Sequence, residues 1–557
     1  MASESATVTR PADVGLKREM GLIGATWASE TSIIGSGWLF GALFASQAVG
    51  GASVLAWAVA GVVVIILALC HAELGAMYPV SGGTARFPHF AFGSVAGIGF
   101  GFFSYVQAVT IAPIECFAFM QYASYYWPGL YHVDPVTKVG NVTGAGFVLT
   151  IILMAVFTAV NFLAMRIFAR VNNVITWWKV AVPVLAIIVL LFKFHPSNFT
   201  AGGVGFMPGG VKALTAALPA AGIIFAYSGF EQADQLAGEI KDPGKNLPRA
   251  IIIAVLIGTA VYCLLQIAFI GAMPASQLTH GGFAGIADKN ILAGPFAGLA
   301  GVVGLGWLAT VLRVDAFVSP SGTGLIYVTG TSRVSYGLSR NRYYPPVFAR
   351  TNANGVPWVG LIAAFIIGLF FLLPFPSWHS LVGLITGASV LMYAGAPLSL
   401  GAFRGQVPDA DRPYRMPAAS VLAPLAFIIA DLLIYWSGFE VIWKLGIVLV
   451  IGYVLIGILM ARDPQRPPLD WKSAVWLPAW LLGMGVISWL GQYPGTSDEH
   501  PLPPTNTNTI PFWWDMVVVA AFSLIIYYWA MATKLPREEM LKLVGDQAGE
   551  PVDHIGH

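Results

Sequence analysis

Ile33-Ile34-Gly35-Ser36-Gly37-Trp38-Leu39-Phe40 lies inside the first hydrophobic segment of the chain, which runs from about Gly21 to Ala48. Two glycines around a serine suit a helix interior poorly, at a cost of roughly 1 kcal/mol each against alanine. In lipid every freed backbone group must find a partner inside the protein, so a broken helix at that depth is tolerated where its backbone lines a cavity. A half-helix starting at Trp38 would aim N–H groups and a positive dipole end at the gap, which suits a carboxylate. The carbonyls of Thr31, Ser32 and Ile33, on the other half, would face a cation or an ammonium. The gap thus offers complementary ends to a zwitterion. The competing reading is that the glycines only let neighbouring helices approach closely.

Composition sets the class. Of 557 residues, 57% are hydrophobic and 10% charged, against about 25% charged in an average soluble protein. This is the profile of a polytopic membrane protein. A net charge of +2 gives no nucleic-acid footprint. Cys70, Cys116 and Cys263 all fall in apolar segments, so no disulfide framework is implied. The nine histidines are scattered without HExxH or paired His/Cys spacing, which leaves a metal or other cofactor without support. Met1 to Arg18 is polar and lacks a signal peptide's apolar centre.

Apolar runs long enough to span a bilayer fall near 21–48, 51–78, 94–126, 144–163, 173–195, 212–238, 248–273, 305–340, 356–374, 378–402, 419–437, 441–461, 473–492 and 511–533. The expectation is therefore an all-α protein of about fourteen transmembrane helices. Residues 292–304 are expected to form a short outer helix. Residues 1–20 and 534–557 form tails, the latter read as a solvated appendage from Glu538. With a cytoplasmic N-terminus, 22 of the 29 Lys and Arg residues lie on the cytoplasmic side and five outside. That asymmetry orients the chain in the cell membrane with both termini inside. Asn141-Val142-Thr143 is an outer glycosylation sequon.

A weak internal repeat is visible. Ser36-Gly37-Trp38 breaks the first span, and Ser228-Gly229-Phe230, after Ala226-Tyr227, breaks the sixth. Five spans separate the breaks, so the second unit would sit inverted in the membrane. Matching breaks in two inverted halves point to a central binding site.

Four stretches carry a family resemblance. They are Ile34-Gly35-Ser36-Gly37; Glu73-Leu74-Gly75-Ala76-Met77-Tyr78-Pro79-Val80-Ser81-Gly82-Gly83; Phe225-Ala226-Tyr227-Ser228-Gly229-Phe230-Glu231 with Gly238-Glu239-Ile240-Lys241-Asp242-Pro243 and Asn246-Leu247-Pro248-Arg249-Ala250; and Thr331-Ser332-Arg333-Val334-Ser335-Tyr336-Gly337-Leu338-Ser339-Arg340 followed by Pro345. In this order, over residues 21–402, they resemble the amino acid–polyamine–organocation (APC) transporters. Gly35-Ser36-Gly37-Trp38-Leu39-Phe40, Ile114-Glu115 with Tyr126-Trp127-Pro128, and the fourteen spans are most similar to the aspartate–proton symporter branch. Thr84-Ala85-Arg86-Phe87 departs from the pattern, which usually has a tyrosine after the glycine pair.

The resemblance implies a leucine-transporter-like core of five plus five inverted helices (21–195 and 212–402), with 403–533 adding helices 11–14. It implies an amino acid importer driven by protons through alternating access, with an exchanger as the rival inside the class. A channel is the rival outside it, and a membrane enzyme lacks any motif for a nucleophile–base pair. In this reading the substrate carboxylate sits on the amides of Ser36 and Gly37, and its ammonium meets carbonyls near Ile33 and Phe225. Ile34, Gly35, Ala226, Tyr227 and Ser228 complete the two breaks, and Phe225 is the lid. Gln107, Ile111, Thr386 and Ser389 line the pocket. An acidic substrate would want a cation, whereas Glu115 is negative unless protonated, so the substrate's side chain stays open, as does the oligomeric state.

Among the charges, Lys179 sits mid-span in Trp177-Trp178-Lys179-Val180-Ala181-Val182-Pro183. Desolvation narrows the gap between a lysine's charged and neutral forms, and Pro183 cannot donate to the Lys179 carbonyl. By the resemblance Lys179 is the proton-coupling group, beside the carbonyls of Thr31 and Ile34 and the hydroxyl of Thr331. Snorkelling to a face is the alternative. Intramembrane Glu115 is either a second proton site or substrate contact, or an acid paired with Arg313. Arg313 and Asp315 read as an outer ion pair. Glu30 reads as facing the inner pathway. Glu231 and Asp234 share a helix face and read as a gate or a solvated inner vestibule.

Overall fold

The structure, a computed structural model, describes residues 16, 18–133, 140–162, 165–279, 281–372, 378–494 and 505–546. Arg10, Lys17 and Lys138 of the charge count lie outside the described residues, as do residues 547–557 of the C-terminal tail. The first hydrophobic segment divides into α1 (Leu22–Ile33) and α2 (Ser36–Val49), and α3 (Ser53–Met77) follows. A short α4 (Gly83–Phe92) leads into the long α5 (Ser94–Ala123). A two-stranded hairpin, β1 (Tyr131–Val133) with β2 (Gly140–Val142), precedes α6 (Gly144–Val160) and α7 (Met165–Leu191). The sixth apolar stretch is cut twice, into α8 (Gly210–Ala220), α9 (Ile223–Tyr227) and α10 (Gln232–Gln235). There follow α11 (Pro243–Ala272), two short helices, α12 (Lys289–Ala293) and α13 (Pro295–Val302), and then α14 (Gly306–Arg340). The rest comprises α15 (Trp358–Leu372), α16 (Trp378–Gln406), α17 (Ala419–Trp436), α18 (Phe439–Ala461), α19 (Trp471–Ala474), α20 (Trp476–Leu490), α21 (Phe512–Thr533) and α22 (Arg537–Asp546).

Every apolar stretch read from the sequence carries helix. Among the described residues nine helical segments are long and apolar enough to cross a membrane, and α6 and α15 are shorter apolar helices. Their surfaces confirm the solvent they are built for. On α18, Ile447, Val450, Ile451, Val454, Leu455 and Ile458 are exposed, while Leu449, Ile456 and Met460 face inward and are buried. A helix apolar on both sides is stable against lipid, not water. α14, at 35 residues, is about 52 Å long.

Two expectations need correction. The half-helix after the first break starts at Ser36, two residues before Trp38, because the unwinding is confined to Ile34 and Gly35, whose φ/ψ of −115°/−144° leaves the helix. The C-terminal tail is not a free appendage as far as Asp546. Met540 and Val544, one turn apart, are buried, and the Leu535 N–H donates to the Ala91 carbonyl at 3.1 Å, docking α22 by α4.

The packing brings the breaks together. α3 lies along α11, α5 along α14, and α1 against α11, α7 and α14. At the N-terminal face Met20 pairs with Ile240, with Met20 N–H to the Glu239 carbonyl at 3.0 Å. Arg333 binds Glu239 at 2.8 Å there. Glu73 accepts from Arg404 (2.6 and 2.8 Å), Arg412 (3.1 Å) and the Met416 N–H (2.7 Å). These contacts latch the elements of this face to one another.

Candidate functional site

Gly37 fixes how closely the two broken helices cross. A Cβ there would lie 2.7 Å from the Ala226 Cβ and 2.8 Å from its Cα. Close packing and site formation are therefore the same feature: a side chain at 37 would part the helices. On the other helix, Gly222 and Gly229 take φ of 75° and 125°, conformations that glycine reaches without a Cβ penalty. Between the breaks lies a tight pocket with almost no free volume, lined by Ser32, Ile33, Gly35, Gly37, Ile111, Glu115, Phe225, Ser228, Thr323 and Tyr327.

The expected lysine is here. Lys179 is fully buried, and its Nζ donates to the Thr31 carbonyl at 2.5 Å and to Thr323 Oγ1 at 2.8 Å. Thr323 in turn donates to the same carbonyl at 2.8 Å. The lysine thus ties α7 to the end of α1 and to α14 and does not snorkel. The hydroxyl is Thr323, not Thr331, which lies two turns further along α14 and donates to the Tyr327 carbonyl at 2.7 Å.

Glu115 is not paired with Arg313. Its Oε2 accepts the Ser36 N–H and its Oε1 the Ser36 hydroxyl, both at 2.9 Å. Arg313 stacks over the Tyr125 ring at 3.9 Å, and Asp315 accepts from Ser319 at 2.9 and 3.0 Å. At the second break, Glu231 accepts the Gly229 N–H (2.8 Å), the Tyr393 hydroxyl (3.0 Å), the Tyr327 hydroxyl (3.1 Å) and Gln107 Nε2 (3.0 Å). Gln107 is therefore turned to Glu231 instead of the cavity. Asp234 points elsewhere, to His71 at 2.8 Å. Glu30 is fully buried, and neither of its carboxyl oxygens has a hydrogen-bond partner.

Other expected pocket residues lie outside the lining. Tyr227 donates to the Trp57 carbonyl at 3.0 Å. Thr386 and Ser389 bond to carbonyls of their own helix, at 2.8 and 2.9 Å. Two aromatic residues escaped the sequence reading. The Tyr262 hydroxyl lies 2.5 Å from the Ile33 carbonyl and 2.9 Å from the Ala226 carbonyl, pinning the breaks to each other; its single proton serves only one at a time. Trp378 donates its indole N–H to Ser36 Oγ at 2.7 Å. Its ring meets Phe225 edge-on at 5.7 Å and also contacts Phe40 and Phe44. Phe225, expected as a lid, is thus one of a pair of contacting rings.

Residues 20–459 match the amino acid permease family. The chain belongs to that family. The permease is 36% identical over 520 residues to the glutamate/serine transporter AimA of Bacillus subtilis, covering 93% of this chain and 94% of that one. It is 34% identical over 510 residues to the aspartate-proton symporter of the same organism, covering 91% and 94%. Among solved structures, a manganese transporter of Eremococcus coleocola is similar with a TM-score of 0.48 and 12% identity, covering 94% of this chain and all of that one. The permease is thus a multi-pass membrane protein of amino acid transport.

Proposed function

We propose that this permease imports an amino acid by proton symport through alternating access. The observation that carries this is Lys179: a buried ammonium joining the broken first helix to α14, where one proton can make or loosen the bridge. The amino acid binds between the breaks, its carboxylate at the Ser36 end of α2 and its ammonium toward the Ile33 carbonyl. Phe225 and Trp378 close over it. Glu73, Arg404 and Arg412 part when the opposite face opens. The fourteen stretches all cross the cell membrane with both termini in the cytoplasm. The halves 21–195 and 212–402 are inverted repeats, which is why a break in each lands at mid-depth.

The two Bacillus relatives make glutamate, aspartate and serine the first probes. Uptake of each into proteoliposomes, driven by an imposed pH gradient and competed with the twenty amino acids, tests the reading. Saturable, stereoselective accumulation against a gradient supports it. Uptake that never exceeds equilibrium, but exchanges one amino acid for another, would make the permease an exchanger.

A further inference from the structure

Glu115 stands where the preceding reading puts the substrate's carboxylate. α2 has 14 residues and no side-chain cap of its own, its N-cap being Gly35. The Ser36 N–H and the Ser36 hydroxyl instead meet the two oxygens of a carboxylate carried in on α5, each at 2.9 Å. That carboxylate is 1% exposed and borders the same cavity as Gly35, Gly37 and Ile33. Two oxygens on one amide and one hydroxyl is the contact a free amino acid would make.

The surroundings leave no room for both. A Cβ on Gly35 would already sit 2.9 Å from Glu115 Oε1 and 2.7 Å from Thr323 Oγ1. The charged and titratable groups acting on this site are Lys179 from α7, Asp315 from α14 and Glu30 from α1. One ammonium thus already faces three carboxyl groups, and an incoming carboxylate beside an ionised Glu115 would be strongly opposed.

We propose that Glu115 is a resident ligand, filling the carboxylate seat when the permease is empty, and that the substrate binds by displacing it. The proposal rests on the binding reading above. An exchange of one carboxylate for another keeps the Ser36 amide bonded in both states, so no buried donor is orphaned at any stage. It also makes a carboxylate a requirement for binding, because a ligand without one could dislodge Glu115 only by leaving the amide bare.

The test uses the full-length protein with Glu115→Gln and Glu115→Ala. Binding of glutamate, aspartate and serine is read by thermal shift and equilibrium binding, with ethanolamine as serine without its carboxylate. Glu115→Ala should bind the wild-type amino acid about tenfold more tightly, one pair of buried hydrogen bonds no longer having to be broken. Glu115→Gln should fall between, since its carbonyl still accepts the amide without charge. Ethanolamine should not stabilise the wild type. If a folded variant binds as wild type does or more weakly, the displacement proposal is overturned while the site stands. Should alanine prevent folding, the glutamine variant decides by the same criterion. If no amino acid stabilises any form, the binding reading falls first, and this proposal with it.

Discussion

Replacing Lys179 puts the coupling mechanism at risk directly. The ammonium makes two bonds in complete burial, at 2.5 Å to the Thr31 carbonyl and 2.8 Å to Thr323. Hydrogen bonds to a charged group are worth about 1.5–3 kcal/mol each and neutral ones about 0.5–1.5. Losing the proton therefore weakens the bridge by roughly 2–3 kcal/mol, a shift of about 30- to 150-fold between bridged and loosened states. That is large enough for one proton to decide which state dominates. The proton must enter with the substrate from outside, so uptake should rise as external pH falls and should not need sodium. Each pH unit across the membrane supplies about 1.4 kcal/mol per proton. Two units thus set a ceiling of about hundredfold accumulation at one proton per substrate. Wild-type proteoliposomes should approach that ceiling with sodium or with choline. Lys179→Ala and the bulkier Lys179→Met should show none of it, whether or not downhill exchange survives. If either variant still concentrates substrate on a proton gradient, Lys179 is not the coupling group and Glu115 inherits the role. A wild-type requirement for sodium would end the proton mechanism altogether.

Other perturbations probe other parts. Gly37→Val puts a branched side chain within 2.7 Å of Ala226, an overpacking of about 1–3 kcal/mol, and should abolish substrate-dependent thermal stabilisation in detergent; unchanged stabilisation would remove the crossing from the site. Phe225→Ala takes away the ring 5.7 Å from Trp378, so the apparent KM should rise and transport slow by more than folding suffers. Wild-type kinetics would reduce Phe225 to packing. Glu73→Ala leaves Arg404, Arg412 and the Met416 amide without their shared acceptor; breaking a buried pair typically costs about 3–5 kcal/mol. Burial already holds the Arg412 guanidinium below its usual pKa, with Glu73 opposing that shift. The melting temperature should therefore fall, and more of this face should become open to thiol reagents at an engineered cysteine. An unaltered melting temperature and unaltered labelling would refute the latch.

What the sequence makes legible follows from range. The break at Gly35-Ser36 is a local matter of backbone propensity in lipid, and it is read within two residues of its place. Lys179 is legible because a charge at that depth in an apolar run has few uses. Thr323 was missed because the resemblance points to Thr331, eight residues further along α14, and only the depth at which Lys179 meets that helix chooses between the two hydroxyls. Tyr262 and Trp378 were missed because an aromatic residue in an apolar helix carries no mark of its hydrogen bond. Gln107 has the right helix but the wrong partner, since Glu231 offers it a charged acceptor.

The carboxylates at the breaks show most clearly where local reading stops. Each unwound turn leaves an amide that must be bonded in a dry interior. Glu231 serves Gly229 from two residues away, a distance at which sequence alone suggests the contact. Glu115 serves Ser36 from 79 residues away, and nothing in either segment names the other. A gap read from one helix therefore looks vacant and waiting for substrate, whereas the folded chain has already supplied a carboxyl group to it. The empty transporter is stable because that amide is not bare. If the substrate displaces Glu115 as proposed, recognition is a contest between two carboxylates for one helix end, and affinity depends as much on how firmly Glu115 holds as on what the amino acid brings.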